Sequence, residues 1–217
     1  MTMQRKNIAV IDFETTGLSP GAGARAIEIG VVLISGQRVV DRFQSLMNPR
    51  VRVPAEITQL TGITNQMVST APPSLTVMRG AAEFIGDADL VAHNAAFDRK
   101  FMEAEMVAAG VARPLNFACT LLLSRRIFRD APNHRLETLV RHLKLPTNVG
   151  FHRALADAQA TAELLLRIQA EISERYGIGV VHHDFMAKIQ RTSARNLEKM
   201  ILGGASAEAS QSADLRR

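Results

Sequence analysis

The chain has one cysteine, one tyrosine and no tryptophan, and aromatic residues make up only 5% of its 217 positions. The lone Cys119 cannot close an intrachain disulfide, which fits a reducing compartment. So few aromatic rings leave base-stacking platforms scarce. Long apolar runs are missing too. The longest, residues 29–34, has the length of a strand and falls far below a membrane span. Residues 1–6 carry two positive charges, but only four apolar residues, 8–11, follow before Asp12, too few for a signal-peptide core. The expectation is a cytoplasmic protein with no membrane partner. No internal repeat of solenoid period is seen.

What the chain does have is an apolar share of 47% beside 22% charged residues, enough for a real core in one large domain with or without an appendage. Its net charge of +5 and pI near 10.0 suit a polyanionic partner. Buried or alternating apolar patterns predict strands over 6–13, 26–35 and 38–47, the last two joined at Gly36-Gln37, and a short strand over 90–93. Helical patterns cover 75–85, 95–109, 135–143 and 153–176, with a short helix and turns over 57–64. Residues 117–128 read as a strand or helix start leading into a helix. Strands first, then strands alternating with helices, argue for an α/β sheet whose early strands form a meander. The compact domain is expected to cover 1–178. Residues 179–217 form an extension: a basic helix over 182–200 carrying Lys188, Arg191, Arg195 and Lys199, then a flexible tail from Gly203.

Within the apolar first strand stand Asp12 and Glu14. Residues two apart on a strand share a face, so these carboxylates project together, repel, and call for a cation. Oxygen-only ligands favour Mg²⁺ or Mn²⁺ over zinc. Asp98 lies in the first turns of the helix after strand 90–93, with Asn94 placed to cap that helix. Asp157 shares a helical face with Thr161, Leu164 and Ile168, so it turns inward and needs a partner, and His152 lies just ahead of it. Each feature alone has a plain structural reading: a turn cap, an acid at the positive end of a helix, a histidine bonded to backbone. Together they place four carboxylates and a base that titrates near neutral pH in one α/β chain. That set would neutralise two divalent cations and take a proton from an attacking water.

The segments D12-F-E-T-T-G17, H93-N-A-A-F-D98 and H152-R-A-L-A-D157 resemble the three motifs of the DEDDh 3′→5′ exonuclease family, most like its proofreading branch, the epsilon subunit of bacterial DNA polymerase III. R25-A-I-E-I-G30, the stretch 48–64 and H134-R-L-E-T-L-V140 fit in the same order, so the likeness runs from about residue 6 to 176. The resemblance implies an RNase H-like fold, a mixed five-stranded sheet flanked by helices. It implies 3′→5′ exonuclease activity releasing mononucleotides, with Asp12, Glu14, Asp98 and Asp157 holding two divalent cations (Mg²⁺ or Mn²⁺) and His152 as general base. It further implies that Thr15, Thr16, Gly17 and Leu18 hold the 3′-terminal nucleotide, Leu18 wedging against its base, with His93, Asn94 and Phe97 in the same cleft. Cys119-Thr120 departs from the Asp-Thr of many relatives. No clamp-binding or polymerase-tethering motif is recognisable after residue 180.

The expected substrate is a single-stranded DNA 3′ end, contacted through its backbone, with a DNA polymerase as candidate partner. The alternatives are an RNA-directed exonuclease resembling RNase T or oligoribonuclease, and a non-catalytic nucleic-acid-binding module on the same fold. The sequence does not fix an oligomeric state.

Overall fold

Apolar side chains on both faces of β1 (Ile8–Thr15) place it in the middle of a sheet, and in the computed structural model, which describes residues 6–146 and 151–203, it is the central strand of five. The order is β3 (Arg38–Leu46), β2 (Ala26–Ser35), β1, β4 (Asp89–Ala92), β5 (Phe117–Cys119). The first three strands form the expected antiparallel meander, and β4 and β5 run parallel to β1. This is the expected mixed, helix-flanked sheet.

Two apolar clusters cover the two faces. Ile8, Val10, Val32 and Ile34 pack against α5 (Thr120–Ile127), α6 (Leu136–His142), α7 (Ala154–Tyr176) and α8 (His183–Arg191). The intervening residues Ala9, Ile11, Ile29 and Val31 pack against α3 (Ser74–Ile85) and α4 (Ala96–Ala108). The strand period of two therefore assigns Asp12, Glu14, Glu28 and Gly30 to the α7 face. Two short helices, α1 (Ala55–Thr61) and α2 (Asn65–Ser69), lie beside the end of β2 around Ile27, Val53 and Ile63.

The stretch 117–128 resolves into the three-residue β5 followed directly by α5. The basic helix expected over 182–200 is interrupted: α8 ends at Arg191, and a second helical stretch covers 197–203. Thr192 makes the break. Its hydroxyl donates to the Lys188 carbonyl at 2.8 Å, and its own carbonyl accepts from Arg126 Nε at 2.7 Å instead of serving the next helical turn.

The packed body runs past residue 178. Val181, Met186, Ile189, Leu197 and Ile201 are buried in the same cluster as α7. The Gln190 side chain pairs with the edge of β5, accepting from the Cys119 amide at 2.7 Å and donating to the Phe117 carbonyl at 3.3 Å. The expected tail, beyond Gly203 itself, lies outside the described residues. Among those described, no helix is long and apolar enough to cross a membrane.

Candidate active site

Strand β4 pairs with β1 only from Ile8 to Val10, so past that point the two parallel strands leave a crevice at their carboxyl ends. Asp12 and Glu14 stand there. Asp98, in the first turn of α4, fills the gap from the other face: its Oδ1 accepts the Phe13 amide at 3.2 Å, a backbone donor that β4 no longer serves. Asp98 is almost fully buried, at 2% exposure.

The fourth acid arrives on α7, and its approach depends on Gly30. In register Gly30 lies opposite Asp12, and any side chain there would overlap the backbone of Ala154 and Leu155. The bare strand lets the first turn of α7 settle onto β2, bringing Asp157 over β1. One carboxylate oxygen each from Asp12, Glu14 and Asp157 then lies within 4.8 Å of the others. Asp157 Oδ2 accepts the His152 amide at 3.0 Å, while Oδ1 is buried with no hydrogen-bond partner among the described residues. His152 has a left-handed backbone (φ 69°), rare for a residue with a side chain. Its Nε2 lies 3.5 Å from Glu137 Oε1 on α6.

Crowding shows in the electrostatics. Burial, then the charges of Asp98, Asp157 and Glu14, hold the Asp12 carboxyl well above the usual carboxylate range. Burial followed by the charges of Asp157 and Glu28 pushes Glu14 up to about 8. Burial raises Asp98 to about 7 and Asp157 to about 6, against the hydrogen bonds each accepts from backbone amides. Glu14 and Asp98 thus retain protons near neutral pH, which a cation would displace. Three convergent oxygens, one buried carboxylate oxygen without a donor, and an all-oxygen ligand set fit a divalent ion such as Mg²⁺ or Mn²⁺.

The segment after β1 is strapped down. The Thr15 hydroxyl donates to the Gly17 carbonyl at 2.7 Å. Thr16 exchanges two bonds with Arg25, its amide donating to the Arg25 carbonyl and its hydroxyl accepting the Arg25 amide, both at 2.9 Å. Arg25 in turn forks onto buried Glu105 with two bonds of 2.8 Å. Leu18, at the tip, is 83% exposed.

Around Asp98, both His93 nitrogens are engaged, Nδ1 with the Thr120 hydroxyl at 2.9 Å and Nε2 with the His134 carbonyl at 3.0 Å. A carbonyl only accepts, so Nε2 carries the proton, and burial pushes the ring pKa down to about 4, leaving it neutral. Asn94 is exposed with a left-handed backbone (φ 65°). It does not take the capping role expected of it: Ala95 is the N-cap, and the Asn94 carbonyl accepts from the Phe97 amide at 2.8 Å. Phe97 stacks, tilted, on Phe101 with centroids 5.0 Å apart.

Four residues escaped the sequence reading of the site: Glu28, Gly30, Glu137 and Arg153. Glu28 carried the same signal as Asp12, an acid inside an apolar strand. Its pairing with Arg153, 125 positions away, has no local signature.

A family model described as Exonuclease (RNase_T) matches residues 9–165. The chain is 37% identical over 184 residues to DNA polymerase III PolC-type of Bacillus subtilis (strain 168), covering 84% of this chain and 12% of that protein. It is 36% identical over 173 residues to the 3′-5′ exonuclease DinG of the same organism, covering 79% of this chain and 18% of that one. The chain thus spans less than a fifth of the length of either relative. Among solved structures, Exonuclease X in complex with 5′ overhanging duplex DNA aligns with TM-score 0.65 and 27% identity, over 84% of this chain and 99% of that one. The nuclease domain of 3′hExo, a DEDDh family member bound to rAMP, aligns with TM-score 0.66 and 21% identity, over 79% and 95%. The latter likeness is one of fold.

Proposed function

The chain belongs to the exonuclease family, and on that premise we propose that it is a divalent-metal-dependent 3′→5′ exonuclease acting mainly on single-stranded DNA. It releases nucleoside monophosphates, in a proofreading or repair role like that of the polymerase III epsilon subunit, with a DNA polymerase as candidate partner. The observation that carries this reading is the convergence of Asp12, Glu14 and Asp157 oxygens within 4.8 Å, one acid still holding an unpartnered buried oxygen.

In this reading Asp12, Glu14 and Asp157 hold the cation site, with Asp98 closing it from α4. Four carboxylates carry enough negative charge for two Mg²⁺ or Mn²⁺ ions. Such ions, when bound, acidify water and neutralise charge on phosphodiester oxygens. His152 accepts the proton of the attacking water, and its amide bond to Asp157 keeps it beside the acids. The strapped loop of Thr15, Thr16, Gly17 and exposed Leu18 receives the 3′-terminal nucleotide, Leu18 against its base. Asn94 and Phe97 line the neighbouring wall, and neutral His93 fixes the start of α5 behind them. Too few aromatic rings are present for base-by-base stacking, which favours sequence-independent backbone contact.

An RNA-directed activity is the second reading, because neighbours of this fold are solved with DNA and with rAMP alike. Parallel digestion of matched 5′-labelled DNA and RNA oligonucleotides decides between them. Faster DNA shortening is expected, and faster RNA shortening overturns the substrate assignment.

A further inference from the structure

Glu28 faces Glu14 in register across β1 and β2, yet the two glutamates live in opposite surroundings. Glu28 is fully buried and surrounded by donors. Its Oε1 accepts from Arg153 at 2.6 Å and from Gln44 at 2.9 Å, and its Oε2 accepts Arg153 Nε and the Ala154 amide, each at 3.0 Å. Four donors fill the lone pairs of a carboxylate, so Glu28 has none left for a cation, and it stands outside the cluster of Asp12, Glu14 and Asp157. Among the described residues, Glu14 receives no such donors. Arg153 is close enough for its charge to act on Glu14, but both nitrogens that bond do so with Glu28.

We propose that Glu28 is a positioning residue for the metal site: it seats the first turn of α7 on β2 through the Ala154 amide, and it holds Arg153 away from Glu14, so that Glu14 stays free to meet a cation. The inference rests on the metal-site reading above. An arginine fork released at this spot would be drawn to Glu14, on which its charge already acts, and would compete with the ion for it.

The test is Mn²⁺ binding to the 217-residue chain without nucleic acid, followed by calorimetry, with thermal melting to check that each variant folds. Wild type should bind Mn²⁺, and Asp12→Ala should not; wild-type protein that binds none overturns the metal-site reading itself. Given that binding, Glu28→Gln should weaken affinity about tenfold or more, as loss of a ligand's supporting partner does. Adding Arg153→Ala to Glu28→Gln should restore most of the affinity by removing the competitor. Arg153→Ala alone, with Glu28 intact, should bind at least as tightly as wild type. Wild-type affinity in Glu28→Gln, a double variant as weak as Glu28→Gln, or weakened binding in Arg153→Ala would each overturn the proposal. The last of these stands even if Glu28→Gln does not fold.

Discussion

One oxygen of Asp157 holds the His152 amide while the other is buried and unpartnered, and Glu14 and Asp98 keep protons up to about pH 8 and 7. These raised values bear on stability. Between the unfolded value near 4 and the folded value, the native protein holds protons that the unfolded chain releases, so stability falls as pH rises through that window. Neutral His93, pushed down to about 4, acts in the opposite sense up to about pH 6.5, where free histidine loses its charge. The acids' signature is therefore read from about pH 6.5 to 8: the melting temperature of chelator-treated protein should drop over that range, and Mn²⁺ should raise it more at pH 8 than at pH 6.5. A melting temperature that climbs with pH would show that these carboxyls are not protonated in the fold. At His152, substitution by alanine should slow cleavage roughly 10²–10⁴-fold, the usual worth of a general base, leaving activity that rises with pH as hydroxide takes over. Unimpaired rates at neutral pH would remove the histidine from the chemistry.

At the scale of elements, the strand carrying two acids and the helix carrying the third meet because β2 has a glycine where α7 crosses it. Gly30→Ala should cost about 1–3 kcal/mol through forced displacement of α7. It should also depress activity beyond that of variants with the same melting temperature, since the displacement separates Asp157 from Asp12. Gly80 is the control: a methyl there meets only the Phe43 ring at 3.8 Å, so Gly80→Ala should leave activity unchanged. Equal effects at the two positions would deny Gly30 its role. Much of this frame was legible in sequence. The apolar runs located β2 and β3 to within a residue and β1 with a shift of two, and the inward spacing of Asp157, Thr161, Leu164 and Ile168 matches α7, where Thr161, Leu164 and Ile168 are buried. Cross-strand register was not legible, because period two gives the face of each residue but not its neighbour on the next strand. Glu28 and Gly30 were therefore in view without their roles.

Across the whole molecule, the extension is where pattern and packing part. Charged residues at 188, 191, 195 and 199 suggested a basic helix on an extension, but Ile189 and Leu197 between them are buried in the core of the domain. Gln190, polar in sequence, serves as a substitute strand for the β5 edge, a use that no local pattern announces. Removing residues after 178 would strip Val181, Met186, Ile189, Leu197 and Ile201 from the core, each worth about 1.5–3 kcal/mol when fully buried. Together they rival the stability of a typical domain. A chain ending at 178 should show no cooperative thermal transition, and a wild-type melting curve would make the extension an independent appendage. The central claim, that four carboxylates and a histidine form a metal-dependent exonuclease site, is tested most directly on a 5′-labelled single-stranded oligonucleotide with Mn²⁺. Stepwise shortening from the 3′ end is expected, abolished by chelator and reduced about a thousandfold in Asp12→Ala. Protein that binds the strand without shortening it, or Asp12→Ala that cuts as fast as wild type, would contradict the account.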